Sequence, residues 1–161
     1  MTLQTITPSL WLAPGKAGEA GKLYAELFAD ASIESHDFLE NPAGPEYNAE
    51  MLQVRIGSSR LQIMGAHRDP MVEYTGAISL SVVVADQASL DKVWDGFLER
   101  GGQEQACSWI IDPYGVRWQV LPQAFYDLTS TGDAAQAQRV TEALWKMVRI
   151  DVEGLETAAR G

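Results

Sequence analysis

Few side chains in this sequence have the chemistry of a metal ligand or a nucleophile. The chain has two histidines, His36 and His67, and one cysteine, Cys107. The histidines lie in different predicted segments without the spacing of metal ligands, so we interpret both as surface or hydrogen-bonded residues. A cysteine nucleophile or redox sensor needs a neighbouring cation or histidine that favours the thiolate. The sequence identifies no such neighbour for Cys107, which we interpret as a small, packed strand residue.

Neutral polar and aromatic side chains are better candidates for a site, because they alternate with apolar residues. Segment 9–12 alternates Ser, Leu, Trp and Leu, and segment 79–84 alternates two serines with leucine and valine. Successive side chains of a strand point to opposite faces, so the apolar set packs on a helix and the others face away. An aromatic surface with a few neutral hydrogen-bonding groups suits a small apolar or aromatic molecule. We therefore predict a ligand site lined by Trp11, Gln62, Ser79, Ser81 and Gln119.

Hydrophobic periodicity predicts the elements that must position these residues. Asp86 is the predicted N-cap of the second helix, and Gly101-Gly102 its stop. Asp112 is predicted to initiate a turn rather than to act as a base, and Trp118, by its parity, to face a helix. Trp109 has two interpretations, a buried wall or a surface on which a ligand stacks. Helices are predicted at 16–29, 86–98, 133–148 and 151–160, a linker at 67–76, and strands at 6–13, 31–39, 49–56, 60–66, 77–85, 103–111 and 116–121.

An internal repeat indicates the architecture. Shifted by 70 positions, Leu23-Tyr24 falls on Val93-Trp94. Shifted by 57, Leu61-Gln62-Ile63 falls on Trp118-Gln119-Val120. Each half therefore has the order strand, helix, strand, strand, strand. We predict an α+β chain with one module at about 1–68, a second at about 76–122, and a C-terminal helical extension at 123–161.

Composition limits the partners. The chain has 161 residues, 46% of them hydrophobic and 21% charged, which suits a single globular domain. Its formal net charge of −10 would repel phosphate backbones and anionic lipid, so we expect neither nucleic acid nor membrane as a partner. The first residues lack the pattern of a signal peptide and no apolar run is long enough to cross a bilayer, so we expect a cytoplasmic protein.

Three motifs resemble a known family. They are the Cys-x-Trp at Cys107, the Gly-x-x-Trp-Gln from Gly115 to Gln119, and the Ala-Gln-Arg-Val from Ala137 to Val140. Together they resemble the family named for a 3-demethylubiquinone-9 3-methyltransferase domain. This is the PhnB-like branch of the glyoxalase/bleomycin resistance/dioxygenase (vicinal oxygen chelate) superfamily. One departure is Ser108, where the family typically has glycine.

The resemblance implies two βαβββ modules with curled mixed sheets, usually in a homodimer. An apolar stripe on the C-terminal helix (Ala137, Val140, Leu144, Met147 and Val148) would remain after two modules are built, and a symmetric dimer would bury it. Superfamily enzymes place His and Glu metal ligands on the first and last strand of each module. Here Ser9, Gln62, Ser79 and Gln119 take those places. Neutral hydroxyls and amides are weak ligands, so we expect no metal and no cofactor.

Three functions are compatible with this sequence. The favoured prediction is a metal-free dimer that binds a small apolar or aromatic molecule. The alternative is an enzyme of lyase, dioxygenase or methyltransferase type that acts on a small aromatic or quinone-like substrate. Methyl transfer is implied by the family name alone, because the turn at 15–18 does not have the Gly-rich pattern of a typical methyl-donor site. The third is an interaction dimer with a vestigial cavity.

Overall fold

The computed structural model of the protein describes residues 5–67 and 74–161. They belong to two compact units, an N-terminal unit within residues 1–72 and a C-terminal unit within 73–161. The N-terminal unit contains β1 (Ser9–Leu12), α1 (Ala17–Leu27), β2 (Ala31–Leu39), a single-turn helix (Pro45–Tyr47), β3 (Ala49–Ile56) and β4 (Ser59–Gly65). The C-terminal unit contains β5 (Leu80–Val84), α2 (Gln87–Leu98), β6 (Gln103–Glu104), β7 (Trp109–Ile111), β8 (Arg117–Pro122), α3 (Gln123–Thr129), α4 (Ala134–Leu144) and α5 (Val152–Arg160).

Both units contain an open, mixed four-stranded sheet with the same connections. The strand order is β1-β4-β3-β2 in the N-terminal unit and β5-β8-β7-β6 in the C-terminal unit. The first strand of each module runs parallel to the last, and the other pairs are antiparallel. The helices α1 and α2 begin at Ala17 and Gln87, in agreement with the shift of 70 positions in the sequence. The predicted α+β fold of two βαβββ modules is confirmed.

The core of the N-terminal unit lies between α1 and one face of its sheet. Leu10 and Leu12 on β1, and Leu52 and Val54 on β3, are buried on this face. From α1, Leu23, Tyr24 and Leu27 are buried against them. Trp11, between the two leucines, is 38% exposed, as the alternation of a strand requires. Apolar burial therefore fixes which side chains of the sheet face away from the helix.

The C-terminal unit repeats this arrangement with α2. The Asp86 carboxylate caps the helix by accepting a hydrogen bond from the Ser89 backbone N–H at 2.8 Å. Trp94 and Phe97 of α2 are fully buried, and the Phe97 ring lies 5.8 Å from that of Trp118 on β8. Trp118 is 2% exposed, so it faces the helix as its parity predicts.

The segment 103–111, predicted to be extended, is extended only at its two ends. Two short strands, β6 and β7, pair with each other and are separated by a turn. Cys107 and Ser108 lie in this turn with φ angles of 59° and 60°. Cys107 is therefore a turn residue rather than a packed strand residue.

The predicted helix at 133–148 ends early, and one helix was not predicted. The observed helix α4 ends at Leu144, and α3 precedes it directly after β8. Helices α3 and α5 both pack against α4. Val140 is fully buried and Leu144 is 8% exposed, so the chain itself covers these members of the apolar stripe. The argument for a dimer from a leftover stripe is therefore wrong, and Val148, 44% exposed, is the one large hydrophobic side chain of the stripe that stays exposed.

The predicted linker at 67–76 lies partly outside the described residues, which omit 68–73. In the two described ranges, no helix combines the length and hydropathy that a bilayer-spanning segment needs.

Candidate functional site

The side of the C-terminal sheet that faces away from α2 carries the strongest candidate site. We call it the C-terminal open face; it comprises Ser81, Val83, Trp109, Ile111, Arg117 and Gln119. Gln119 on β8 pairs with Ser81 on one side and with Trp109 on the other. Its Nε2 donates a hydrogen bond of 2.7 Å to Oγ of Ser79, which directly precedes β5. One continuous row therefore places a hydroxyl, a carboxamide and an indole side by side.

The turn before β7 fixes the position of Trp109. The backbone N–H groups of Cys107 and Ser108 each donate 2.9 Å hydrogen bonds, to the carbonyls of Met147 and Val148. The C-terminal extension therefore holds a turn that has two left-handed residues in succession. Left-handed backbone costs a non-glycine residue about 1 kcal/mol or more, so this turn is held at a cost in backbone strain. The buried Ser108 hydroxyl offsets part of this cost by donating to the Val120 carbonyl at 2.5 Å.

Asp112 organises the connection between β7 and β8. Its Oδ1 accepts hydrogen bonds from the backbone N–H groups of Tyr114, at 2.8 Å, and Val116, at 3.0 Å. Its Oδ2 accepts one from Trp118 Nε1 at 3.0 Å. The side chain is buried on the helix side of the sheet, so Asp112 acts as the predicted turn residue.

Arg117 is a functional candidate that the sequence analysis missed. It lies on β8 two residues before Gln119 and therefore on the same face. Its Nη1 donates a 2.9 Å hydrogen bond to Oε1 of Gln105. Its Nε is buried and has no hydrogen-bond partner among the described residues. The shared parity with Gln119 was the sequence signal that would have identified it.

The corresponding face of the N-terminal sheet, away from α1, is similar in composition. Gln62 on β4 pairs with Ser9 on β1 and with Gln53 on β3. Trp11 pairs with Met64 in the adjacent row and donates from Nε1 to the Ala66 carbonyl at 3.3 Å. A ladder of neutral amides therefore lies beside an aromatic and thioether surface, of which only Trp11 and Gln62 were predicted.

Two arginines of this N-terminal face share one carboxylate. Arg60 on β4 donates from Nε to Glu34 at 2.7 Å, and Arg55 lies 4.0 Å from the same carboxylate. The hydrogen bond and positive charge of Arg60 hold the pKa of Glu34 below its usual value. No comparable carboxylate pairs with Arg117 within residues 5–67 and 74–161, so the two faces differ in electrostatic character.

The five predicted site residues form two groups, one in each unit. Ser79, Ser81 and Gln119 are brought together on the C-terminal unit, and Trp11 and Gln62 are diagonal neighbours on the N-terminal sheet. A single cleft lined by all five remains a prediction.

The two histidines do not contribute to either face. His36 hydrogen-bonds Glu50 through Nε2 at 2.7 Å, and the His67 ring contacts the edge of Tyr47 at a centroid distance of 5.6 Å. In the described part of the chain, no three His, Cys, Asp or Glu side chains cluster as a metal site would require.

Comparison with known proteins identifies the family. The sequence model of the family described as 3-demethylubiquinone-9 3-methyltransferase matches residues 4–121. The chain belongs to this family. The match ends at Leu121, so the C-terminal helices, whose motif formed part of the sequence resemblance, lie outside it. No curated protein matches the chain.

Solved structures of family and superfamily members share the fold. The chain is similar to a PhnB protein from Bacillus cereus, with 24% identity over 74% of this chain and 99% of that one, at a TM-score of 0.64. A protein from Pseudomonas aeruginosa is 20% identical over 75% of this chain and 98% of its own, at 0.56. A glyoxalase family protein from Bacillus cereus is 11% identical over 76% of this chain and 95% of its own, at 0.54. At these identities the similarity establishes the fold of the family and leaves its ligand open.

Proposed function

We propose that this family member is a metal-free protein that binds a small apolar or aromatic molecule on its open sheet faces. The ligand-contacting residues are Ser79, Ser81 and Gln119 in the C-terminal unit, and Trp11 and Gln62 in the N-terminal unit. Sites for small molecules combine an apolar or aromatic surface with a few polar groups that fix orientation. Both faces have this composition, which supports the proposal.

The observation that carries the proposal is the row of Ser81, Gln119 and Trp109, with Ser79 hydrogen-bonded to Gln119. When Gln119 donates one N–H to Ser79, its carbonyl oxygen, its second N–H and the Ser79 hydroxyl hydrogen remain available. Among the described residues, none of these groups has a further partner. A ligand therefore finds one acceptor and two donors in the row that carries the Trp109 indole.

The donor chemistry of the row does not fit a catalytic metal. The superfamily's ligand positions are held by Ser79 and Gln119 in the C-terminal unit and by Ser9 and Gln62 in the N-terminal unit. Divalent transition metals prefer imidazole, thiolate and carboxylate, and neutral amides and hydroxyls compete poorly with water for them. The proposal accordingly assigns no reaction step to a metal at these positions.

Benzamide is a suitable first probe, because it has one aromatic ring, one donor group and one acceptor. We expect it to bind with millimolar affinity in a ligand-observed NMR titration. Gln119→Met keeps the side-chain volume but removes the oxygen and the N–H₂ group of the carboxamide. We therefore expect the affinity for benzamide to fall about fivefold, the equivalent of one hydrogen bond. Treatment with a chelator should leave the affinity unchanged.

Gln138→Met is the matched control, because Gln138 is exposed on α4 and bonds only to Glu142 among the described residues. It should bind benzamide as the unmodified protein does. Equal affinities for all three proteins, or an affinity that the chelator abolishes, would contradict the proposal.

The alternative function is catalysis on a small aromatic or quinone-like substrate. The family's description names a methyltransferase, and the same open face would accommodate an aromatic substrate. A lyase, dioxygenase or methyltransferase would convert an aromatic compound rather than bind it reversibly. Time-dependent loss of the compound with the purified protein, alone for a lyase, with a methyl donor for a methyltransferase or with dioxygen for a dioxygenase, would establish the alternative.

We also propose that the protein is a homodimer. Two observations support a dimer: the family resemblance, and the exposed apolar side chains Trp145 and Val148 of the C-terminal unit, with exposed fractions of 66% and 44%. Sedimentation velocity at micromolar concentration should give a dimer. A monomer under those conditions would contradict this part of the proposal.

A further inference from the structure

The ligand class follows from the position of Arg117 on the C-terminal open face. Arg117 starts on β8, while its hydrogen-bond partner Gln105 follows β6. The backbone N–H of Gln105 donates to the Trp109 carbonyl at 2.8 Å, which places Gln105 on the far side of β7. The Arg117 side chain therefore crosses β7 on the open face, which also carries Trp109.

One edge of this guanidinium is unused. Nη1 donates to Gln105, whereas Nε is buried and unpartnered, and Nη2 has no hydrogen-bond partner among the described residues. Nε and Nη2 form the side edge of the planar group, which donates two parallel hydrogen bonds to a carboxylate. A buried donor without a partner is unfavourable, so an anion that accepts from this edge gains the full benefit of the contact.

We propose that the C-terminal open face recognises a small aromatic carboxylate. The carboxylate accepts from Nε and Nη2 of Arg117, the ring lies on Trp109, and Gln119 contacts a polar substituent. The Arg117 side chain is partly exposed, whereas its Nε is buried, so the guanidinium turns towards solvent when a carboxylate accepts from both nitrogens. This inference rests on the proposed function and adds the charge of the ligand.

The two open faces differ in the charged groups that surround their arginines. The cations of the N-terminal sheet face, Arg55 and Arg60, share one carboxylate, Glu34, whereas Arg117 has no carboxylate partner among the described residues. The formal net charge of the chain is −10, so general attraction of anions to the protein does not produce a preference for a carboxylate. A measured preference would therefore report a local cation.

The experiment compares benzoate with benzamide, which have the same ring but differ in charge. We expect the full chain to bind benzoate about tenfold more tightly than benzamide, as one charge-assisted pair of hydrogen bonds provides. Arg117→Gln should reduce the ratio of the two affinities to about one, and Arg117→Lys, which keeps the charge without the planar edge, should give an intermediate ratio. Arg100→Gln removes the same charge just beyond α2 and should keep the tenfold ratio.

The outcomes separate this inference from the proposed function. Benzamide binding without a preference for benzoate overturns the carboxylate assignment and leaves the proposed function intact. The same conclusion follows if Arg100→Gln and Arg117→Gln lower the ratio equally. Failure of both probes to bind overturns the inference and the proposed function together. If Arg117→Gln does not fold, the ratio of the two affinities in Arg117→Lys and in the unmodified protein still tests the carboxylate assignment.

Discussion

Replacement of Asp112 by alanine is expected to lower the free energy of unfolding by about 4 kcal/mol, because buried donors would lose their acceptor. The Asp112 side chain is 3% exposed and accepts from two backbone N–H groups and from the Trp118 indole. The contacts to the Val116 N–H and to the Trp118 indole are buried, so these two donors would lose their acceptor away from water. Urea unfolding followed by tryptophan fluorescence and circular dichroism would measure the loss.

Asp112→Asn is the control for charge and shape. It keeps an oxygen for the Tyr114 and Val116 N–H groups but presents an N–H₂ group to Trp118 Nε1. We expect a smaller loss of about 1–2 kcal/mol. If Asp112→Ala cost less than Asp112→Asn, the role assigned to this carboxylate in joining β7 to β8 would be wrong.

Replacement of Gly102 by alanine should give the second largest effect. An added Cβ would lie 2.7 Å from the Phe97 carbonyl oxygen and 2.8 Å from that of Ile111. Both atoms belong to the backbone, one in α2 and the other in β7, so the clash cannot be relieved by moving a side chain. We expect a loss of about 3 kcal/mol and a fall in melting temperature of roughly 6–12 °C.

Gly76 provides a matched control in the same unit. A Cβ at Gly76 would meet no atom within 4 Å, so Gly76→Ala should change the unfolding free energy by less than about 0.5 kcal/mol. Thermal unfolding followed by circular dichroism would compare the two variants. Similar melting temperatures for both would contradict the close approach of α2 to the sheet at Gly102.

The alternation of side chains was enough to predict which face of each sheet meets its helix. Leu10 and Leu12 are buried while Trp11 is exposed, and Trp118 faces α2. Burial of apolar side chains decides which face meets the helix, and in a strand these side chains occur at every second position of the sequence. The internal repeat predicted the order of the elements, because each module buries one helix against one face of its sheet.

Local structure that the sequence did not reveal depends on unusual backbone or on distant partners. The turn at Cys107 and Ser108 lacks glycine, although both residues are left-handed, so no turn signal marked the end of β6. Helix α3 has seven residues and no side-chain cap, so it presents no start signal. The apolar stripe of α4 was interpreted as a dimer contact because α3, one of the two helices that cover it, was not predicted.

The candidate site was predicted in part for the same reasons. Parity placed Gln119 and Ser81 on the same face, and the register shows in addition that they pair. Arg117 lies on the same face by the same alternation. Its side chain reaches Gln105 across β7 because of the turn at Cys107 and Ser108, which the sequence did not predict. The sequence therefore indicates a face and its polar residues, whereas the position of Arg117, on which the carboxylate proposal rests, is visible only in the folded geometry.

The most direct test of the proposed function is a titration with benzamide followed in proton–nitrogen correlation spectra of the indole groups. The chain has five tryptophans, and each indole N–H reports on its own surroundings. We predict a saturable shift of the Trp109 signal, with the buried Trp118 and the exposed Trp145 unchanged. A saturable shift confined to Trp145, or no saturable shift at Trp109, would contradict a ligand site on the C-terminal open face.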